Sequence, residues 1–600
     1  MEFEISTVRE QAPQSAKAAA LFSGGLTRFR IKAVAAIVPM TVTFALGLWD
    51  IRRQNSMWGD ESVTYQLAHR DLTQIWRTAQ HVDLVHAFYY AIMHEIYGLV
   101  GGGLLTLRLP SVLAMSVAAA GVGLLGLRLA GPRAGLLAGL VFPLVPQIQR
   151  YTQEGRSYAM VCALVTWATY VLVACVVRHT RWRWTAYGSI MLFACLLHEF
   201  AVLALAAHGI TLLVSGVPRP VLRAWIVTAA CIVVGLLPLA IRSSGESGQV
   251  SWIAWPDPVQ FLGFLAMVFV GMRCARRPMN VRAPIQLSAL ALPLLVLPGL
   301  LLLLLSPVKP LFVDRYVLYS SVGFALLLGA GIDHFHRRQL SSRTSWVAAL
   351  VVLAALLPPS LYLRMPQSRH DDVIAIGNAV RHAGRPGDGL LYLPGRHRVW
   401  TGANPEYTRF LTDLALAQDS ISSNTLAGIE LPAQDIPARI LKFSRIVAVR
   451  DPEGAHSGTN SQEEVKTRTL KRYFRECGTT RVTGARITVY VRNYAACQAI
   501  STGLAAGRAT LPCSTPCNAQ EVGGANSQLR HRFHPFGAPG GRSERIREVL
   551  GLVGDLAVVE LHNANSGCGF PVVVDHIFGD PKIPTTENPT DGERELGRVV

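Results

Sequence analysis

Long apolar runs alternate with short basic segments from about residue 31 to about residue 364. One of them, Leu287–Leu305, is nearly all leucine, alanine, valine and proline, and a run of about 18 or more apolar residues can cross a bilayer. Because runs of this kind recur, the pattern excludes a single soluble globule and a disordered chain. It predicts a mainly α fold, a polytopic transmembrane helical bundle of about eleven spans.

Basic residues indicate which ends of the spans face the cytoplasm. Arg28 and Arg30 lead into the first apolar run, Ile31–Trp49, and cytoplasmic loops are enriched in such residues. Residues 1–30 are polar and lack a cleavable signal pattern, so we expect a cytoplasmic N-terminal segment. Later basic clusters are assigned to the same side, which gives a multi-pass protein of the cell membrane with its bundle over residues 31–364.

One fairly apolar segment, Leu84–Val100, breaks this alternation and carries His86, His94 and Glu95. If it crossed the membrane, every later basic cluster would face outward, against the positive-inside bias. We therefore predict that it lies in the outer interface, within an external loop over residues 50–106.

The segment Trp184–Ser215 could be counted as one bent span instead of two. In that case the segments after it would face the opposite side of the membrane. We favour two spans with His198-Glu199 at an external turn, because about 30 apolar residues exceed one crossing. Under this topology the outer side holds four polar clusters, at residues 58–61, 151–158, 198–199 and 314–316.

The chain changes character after Leu363. Residues 365–494 are polar and contain three strand-like runs, at 389–393, 446–449 and 487–491, together with helical segments at 372–383 and 433–443. Alternating helices and strands predict a small extracytoplasmic α/β domain. In residues 495–600 glycine, proline, asparagine and arginine are scattered without period, which predicts a poorly ordered, mostly disordered tail.

The charge balance is strongly basic. Lysine and arginine number 57 against 39 aspartate and glutamate residues, a formal net charge of +18. In a soluble protein this excess would suggest nucleic acid, but no basic stripe carries interleaved aromatic residues. We therefore expect no nucleic-acid partner and attribute the excess to cytoplasmic loops.

The ten cysteines do not form a zinc-binding pattern, because no CxxC pairs with another. Several lie inside apolar runs, where a free thiol behaves as a small hydrophobic group. Cys477 and Cys497 lie in the polar region and could pair if that region faces an oxidising compartment.

Asp60 and Glu61 follow the first span closely, in the predicted external loop. One interpretation is structural, since acidic residues favour the first turn of a helix and Asp60 could cap the segment Ser62–His69. The other is catalytic, with a carboxylate at the membrane surface that takes a proton from an acceptor hydroxyl.

Two further clusters combine charge with a span end. Glu154 and Arg156 stand at the outer end of one span, and Lys309 and Arg315-Tyr316 at the start of another. Interface anchoring accounts for such residues, but ionisable groups at the membrane edge are also candidates for function. Arginine offers a planar fork for phosphate oxygens, and lysine adds a point charge.

The predicted interfacial helix has a polar face of its own. Asp83 precedes it, and His86, Tyr90 and His94 share one side at intervals of four residues. A metal site is conceivable there, while histidine and tyrosine are also common in interfacial helices.

The order of these motifs resembles the GT-C class of polytopic glycosyltransferases over about Ile31 to Asn493. The similarity is greatest to family 39, which contains the protein O-mannosyltransferases and the lipid A aminoarabinose transferases, and within it to an actinomycete-like branch described as mannosyltransferases. It is carried by five pieces of sequence in order: WGDESVTYQLA (58–68), HVDLVHAFYYAIMH (81–94), LRLPSVLA (107–114), QRYTQEGRSYAM (149–160) and FVDRYVLYS (312–320). Two departures are HAFYY at 86–90, where the family has His-Pro-Pro-Leu-Tyr-Tyr, and Glu-Gly-Arg at 154–156, where it has Glu-Ala-Arg.

The resemblance implies transfer of a sugar, mannose by analogy with that branch, from a polyprenyl-phosphate donor to an extracytoplasmic hydroxyl with inversion. Asp60 would be the base, and Glu61 and Glu154 would orient sugar or acceptor, or bind a divalent cation if one is used. Cations can hold the departing phosphate, a role for Arg156, Lys309 and Arg315. The other substrate-binding candidates are Asp83, His86, Tyr90, Tyr158, His198 and Tyr316.

Two other classes remain as alternatives. A polytopic transporter or lipid flippase would place its polar site near mid-bilayer, often on broken helices within inverted repeats, and no clear repeat is present. A noncatalytic scaffold would use the same carboxylates as helix caps. The sequence leaves open the sugar, the metal requirement, and whether the acceptor is a protein, a glycan or a membrane lipid.

Overall fold

The computed structural model describes residues 14–244, 258–276, 284–307, 311–339, 342–454 and 460–492. These residues belong to one compact unit. The segment 495–600, for which a disordered tail is predicted, lies outside the described residues, and so does Lys309.

The described residues up to 362 are helical apart from short turns, as the apolar pattern predicts. The helices are α1 (Gln14–Leu48), α2 (Gly59–Ala68), α3 (Leu72–Ala79), α4 (Ala87–Val100), α5 (Leu104–Ala130), α6 (Pro132–Val141), α7 (Pro146–Thr152), α8 (Tyr158–Val177), α9 (Arg181–Leu197), α10 (Leu203–Val214), α11 (Arg219–Ser244), α12 (Pro258–Ala275), α13 (Leu287–Leu305), α14 (Ser320–Gln339) and α15 (Ser342–Tyr362).

Six helices in the described part are long and apolar enough to cross a membrane, so the chain is a membrane protein. They are Arg28–Leu48 within α1, Leu104–Ala130, Tyr158–Val177, Arg219–Ser243, Pro258–Ala275 and Leu287–Leu305. Three shorter apolar stretches accompany them, Pro132–Leu144, Glu199–Val214 and Leu350–Tyr362. The predicted number of about eleven spans would need these and other short helices to cross as well.

Small residues bring the first helices of the bundle into close contact. A Cβ at Gly123 on α5 would lie 1.9 Å from the carbonyl oxygen of Ala35 on α1, so only glycine permits this approach. Such contacts are typical of membrane helices, which gain more from backbone proximity and van der Waals packing than from exclusion of water. This close packing fixes the position of α5 next to the residues that follow α1.

The structure gives the helix bounds in the two segments that complicate the predicted topology. The segment that carries His86 is a short 3₁₀ turn, Leu84–His86, followed by α4 with 14 residues. At about 1.5 Å per residue α4 extends only about 21 Å, short of the roughly 30 Å hydrocarbon core. Near His198 the chain breaks into α9 and α10, as expected for two helices.

After α15 the chain forms a sheet region, which we define as α16 to β7. Its elements are α16 (Val373–Ala383), β1 (Gly389–Leu393), α17 (Arg398–Gly402), β2 (Thr412–Asp413), β3 (Leu416–Gln418), β4 (Ile429–Glu430), α18 (Ile436–Ile440), β5 (Arg445–Arg450), α19 (Ser461–Tyr473), β6 (Arg475–Val482) and β7 (Ala485–Val491). The main sheet has the order β2-β1-β5-β7-β6, and β3 pairs with β4 separately. β1 is parallel to β2 and β5, whereas β7 is antiparallel to β5 and β6.

The three predicted strands correspond to β1, β5 and β7, and the first predicted helix corresponds to α16, which Asp372 caps through the N–H groups of Ile374 and Ala375. The second predicted helix is shorter than expected, since only α18 forms within 433–443. Cys477 on β6 is disulfide-bonded, and Cys497, its predicted partner, lies outside the described residues.

Candidate functional site

α2 carries Asp60 in its first turn, and its first residue, Gly59, contacts Asp371 just before α16. The Asp60 side chain is 33% exposed, and its Oδ2 lies 3.5 Å from Nη2 of Arg315, which is 13% exposed. Arg315 comes from the turn Asp314–Val317 just before α14. A partly exposed carboxylate and a mostly buried guanidinium, distant in sequence, therefore meet at one point.

Aromatic rings surround the Arg315 guanidinium. Its central carbon lies 5.8, 5.7 and 5.8 Å from the ring centroids of Trp58, Tyr158 and Tyr316. Cation–π contacts of this kind favour the charged form of Arg315 and restrict the space open to its guanidinium. His198, at the break between α9 and α10, adds a further ring to this group. Its ring centroid lies 5.5 Å from that of Tyr158 and 4.7 Å from that of Tyr316.

A second polar group adjoins these rings. Asp83 lies 2.7 Å from Nδ1 of His86 and 3.2 Å from Nη2 of Arg156, and it accepts a hydrogen bond from the Tyr90 hydroxyl. Arg156 also donates to the Tyr90 oxygen at 2.8 Å. The two groups touch through His86, whose ring lies 5.4 Å from that of His198.

These partners determine the charge of Asp83. Burial alone would raise its pKa, but the Arg156 guanidinium and the hydrogen bonds from His86 and Tyr90 hold the pKa well below its usual value. Asp83 is also in the left-handed backbone region, with φ 61°, an uncommon conformation for a non-glycine residue that often accompanies functional sites. The group is thus a fixed carboxylate with its partners already in place.

Glu61 is fully buried, and basic groups bind both of its carboxyl oxygens. Arg108 on α5 donates to Oε1 at 2.8 Å and to Oε2 at 2.7 Å, and Nη2 of Arg53 lies 3.0 Å from each oxygen. The N–H of Gly155 adds a bond of 3.0 Å to Oε1. Burial opposes ionisation, but Arg108 and Arg53 outweigh it and lower the pKa of Glu61 to about 2.

Glu61 is predicted to orient sugar or acceptor, or to bind a cation, and its contacts limit how it could do so. With both oxygens occupied and no exposed surface, Glu61 instead connects the start of α2 to α5 and to the turn before α8. Arg53 has φ 45°, so this ion-pair group also holds a strained backbone position.

Glu154 lies in the turn between α7 and α8 and is 1% exposed. Within the described ranges neither of its carboxyl oxygens accepts a hydrogen bond, and its nearest cation is Arg369, at 3.6 Å from Oε2. Burial raises the pKa of Glu154. Its backbone carbonyl accepts the Ser111 hydroxyl at 2.6 Å, which fixes the turn against α5.

The structure therefore brings together Asp60, Arg315, Tyr158, His198, Tyr316, Asp83, His86, Tyr90 and Arg156, with Glu61 and Glu154 buried behind them. Sequence reasoning missed four neighbours, Arg53, Arg108, Arg369 and Asp371. Arg108 lies in the LRLP motif, which was the one available signal.

Among the described residues, no group of three or more His, Cys, Asp or Glu side chains is arranged to hold a metal ion.

Chemically, the exposed part of this site pairs one accessible carboxylate with one oriented guanidinium. A carboxylate can accept a proton from a hydroxyl, and an arginine fork can bind phosphate oxygens. Aromatic rings beside them provide flat apolar surfaces of the kind that commonly line small-molecule sites.

No family model matches the chain, and no curated protein matches its sequence. Among solved structures, the chain is similar to ArnT from Cupriavidus metallidurans bound to undecaprenyl phosphate, with a TM-score of 0.47, 12% identity, and coverage of 76% of this chain and 97% of that chain. It is also similar to the apo state of the same ArnT, with a TM-score of 0.43 and 12% identity over 71% and 96% of the two chains. For the apo oligosaccharyltransferase of Archaeoglobus fulgidus the TM-score is 0.41, with 11% identity over 77% and 74%.

Proposed function

We propose that the chain is an integral membrane glycosyltransferase that moves a sugar from a polyprenyl-phosphate donor to an acceptor hydroxyl. The observation that carries this proposal is the pair of Asp60 and Arg315, 3.5 Å apart, with the Asp60 side chain 33% exposed. Together with the rings of Trp58, Tyr158 and Tyr316, this pair forms what we call the recess. The motif order that resembles the GT-C class supports it. That branch favours mannose as the sugar, and the acceptor is a protein, a glycan or a lipid.

In the proposed step, the Arg315 guanidinium binds the donor phosphate, and Asp60 faces the acceptor hydroxyl. The acceptor oxygen attacks the anomeric carbon and forms the new glycosidic bond, while the bond from that carbon to the phosphate oxygen breaks. The phosphate leaves with the electron pair, stabilised by Arg315, and the hydroxyl proton passes to Asp60. Back-side attack inverts the anomeric centre.

We assign positioning roles to the buried carboxylates and a binding role to the second polar group. Asp83, His86, Tyr90 and Arg156 form a preorganised set beside the recess and would bind the sugar hydroxyls, because fixed donors and acceptors orient a substrate at little entropic cost. Glu61 would act indirectly, since its oxygens are already bound.

An apolar cavity supports a lipid-linked donor. It has a volume of about 600 Å³ and is walled by α3, α4, α9 and α11. Leu84 and Ala87, which lie two residues before and one residue after His86, line the cavity, and so does Arg242. A polyprenyl chain in this cavity would therefore lead to the sugar-binding group.

We also propose the membrane orientation. The first loop, residues 50–106, the recess and the sheet region would face the extracytoplasmic side, with the N-terminus in the cytoplasm and about eleven spans in total. The disulfide at Cys477 supports an oxidising environment for the sheet region.

Replacement of Arg315 is expected to impair donor use strongly. We expect Arg315→Ala to lower kcat/KM by about 10²–10³-fold, the usual cost of losing one electrostatic contact to a developing anion. Arg315→Lys should recover only part of the activity, because it keeps the charge but not the planar fork. Initial rates with a polyprenyl-phosphate sugar would measure both. Arg337→Ala, which removes an exposed arginine paired with Asp333, is the control and should leave the rate unchanged.

Filling the cavity should affect long lipid chains selectively. Ala91→Trp places a large side chain in the cavity and is expected to raise KM for a long-chain donor about tenfold, since each buried methylene contributes about 0.8 kcal/mol. A short-chain donor should keep its KM. Leu99→Trp, at an exposed position of the same helix, serves as the matched control. An equal increase for both donors would argue against the cavity as the lipid site.

The function itself is tested with purified protein, a panel of radiolabelled polyprenyl-phosphate sugars and an envelope extract as the source of acceptors. We expect label to move into an acceptor fraction. A flippase would carry the labelled lipid across vesicle membranes without breaking the sugar–phosphate bond, so intact translocated donor and no labelled acceptor would contradict transferase activity.

A further inference from the structure

The N-terminus of α2 donates a hydrogen bond to a side chain more than 300 positions away in the sequence. Gly59 is the first residue of α2, and its N–H donates to Oδ1 of Asp371 at 2.6 Å. A Cβ at position 59 would lie 2.9 Å from Oδ2 of Asp371, so the absence of a side chain there allows the carboxylate to sit directly over the residue before Asp60.

The sheet region clamps Asp371 in this position. A Cβ on Gly484, in the turn between β6 and β7 with φ 89°, would come within 2.4 Å of the Asp371 Cβ. Trp400 of α17 approaches the same point, with its Nε1 3.4 Å from a Cβ at Gly59. The neighbouring Asp372 and Val373 bind the backbone of Met57, and the N–H of Val373 donates to the Met57 carbonyl at 2.6 Å.

The charge on Asp371 is costly. Burial, opposed by the hydrogen bond from Gly59 and assisted by the negative charges of Asp60, Asp372 and Glu61, raises its pKa to about 6. The charged neighbours of Asp371 are Asp60 and Glu61 on α2 and the adjacent Asp372. The other elements packed against it contribute uncharged groups, namely the Trp400 indole of α17 and the Gly484 backbone of the β6–β7 turn. The ionised form therefore persists above about pH 6 against these costs.

We propose that Asp371 is a positioning residue for the transfer reaction: its carboxylate fixes the N-terminus of α2 and thereby sets where Asp60 stands relative to the acceptor. This inference rests on the proposed function. Its physical basis is that a charged acceptor at a helix N-terminus makes a stronger hydrogen bond than a neutral one and interacts favourably with the helix dipole. The sheet region is then an integral part of the catalytic site.

Stability and activity should respond in opposite ways to loss of this charge. Because the folded pKa of Asp371 lies above the unfolded value, the folded state holds the proton more tightly, and stability falls as pH rises from the unfolded pKa through about 6. Asp371→Asn keeps the shape and the hydrogen-bond acceptor and removes that cost. We therefore expect a thermal unfolding midpoint at about pH 7.5 that is no lower than that of the wild-type protein, together with reduced transfer.

The test compares full-length wild-type protein, Asp371→Asn and the control Asp435→Asn, an exposed carboxylate of the same region, in transfer from polyprenyl-phosphate mannose across pH. At about pH 7.5 we expect Asp371→Asn to lose about tenfold in kcat. The difference should shrink as pH falls through about 6 and vanish well below that pH, where wild-type Asp371 is protonated. Asp435→Asn should match the wild-type protein throughout.

Equal rates at every pH, a loss of equal size at every pH, or a lowered unfolding midpoint would overturn this inference alone. Absence of transfer by the wild-type protein with every donor of the panel would overturn the proposed function, and this inference with it.

Discussion

Asp60→Asn is expected to lower kcat for sugar transfer by about 10²–10⁴-fold, the range that a general base contributes. The amide has nearly the same shape as the carboxylate and remains partly exposed, but it cannot take the acceptor proton. Because Asp60 is 33% exposed and pairs only at the recess edge with Arg315, the substitution should not disturb folding. Rates measured with saturating donor, alongside thermal unfolding in detergent, separate the two effects.

Asp71→Asn provides the matched control for this substitution. Asp71 lies on the same predicted loop and caps α3 by accepting a hydrogen bond from the N–H of Gln74 at 2.9 Å. Its role is structural, and it is not one of the residues that form the recess. We expect full transfer activity from it. Wild-type rates for both Asp60→Asn and Asp71→Asn would show that Asp60 is not the base.

Glu61→Gln is expected to produce the largest loss of stability, about 3–5 kcal/mol, because removing one partner of a buried ion pair leaves the other charges uncompensated. Arg53 and Arg108 would then face a neutral amide in a fully buried position. The low pKa of Glu61, about 2, means that its carboxylate stabilises the fold at pH values above its unfolded pKa. That contribution is lost as pH falls toward 2.

Chemical unfolding in mild detergent, followed by tryptophan fluorescence, would measure this loss. Glu95→Gln removes an exposed carboxylate from α4 in the same loop and should leave the unfolding midpoint unchanged. A midpoint for Glu61→Gln equal to that of the wild-type protein would show that the two arginines find other partners, and the supporting role of Glu61 would have to be abandoned.

Local patterns were sufficient for the elements whose signals lie close together in sequence. The run Gly389–Leu393 follows a Pro-Gly-Asp turn and forms β1 within the same bounds, because a short apolar run after a turn fits a buried strand. Asp372 caps α16 for an equally local reason, namely its position one residue before the helix. The break at His198 interrupts an apolar stretch that is too long for one crossing.

The supporting part of the site could not be predicted, because it depends on pairs that are distant in sequence. Arg108 and Glu61 are separated by 47 positions, and Asp371 and Gly59 by 312. A charged residue next to an apolar run is usually solvated or anchored at the interface, so nothing local distinguishes the fully buried Arg108 from an interface anchor. The length of helix α18 was likewise misjudged, since its segment reads as helical beyond the five residues that form it.

The most direct measurement is the fate of a doubly labelled polyprenyl-phosphate sugar incubated with the purified protein and envelope acceptors, with Asp60→Asn in parallel. We predict that the wild-type protein releases one polyprenyl phosphate for each sugar that enters an acceptor, with the anomeric configuration inverted, and that Asp60→Asn does neither at a comparable rate. Donor recovered intact from the wild-type reaction, or equal release by both proteins, would contradict a transfer reaction that depends on the recess of Asp60 and Arg315.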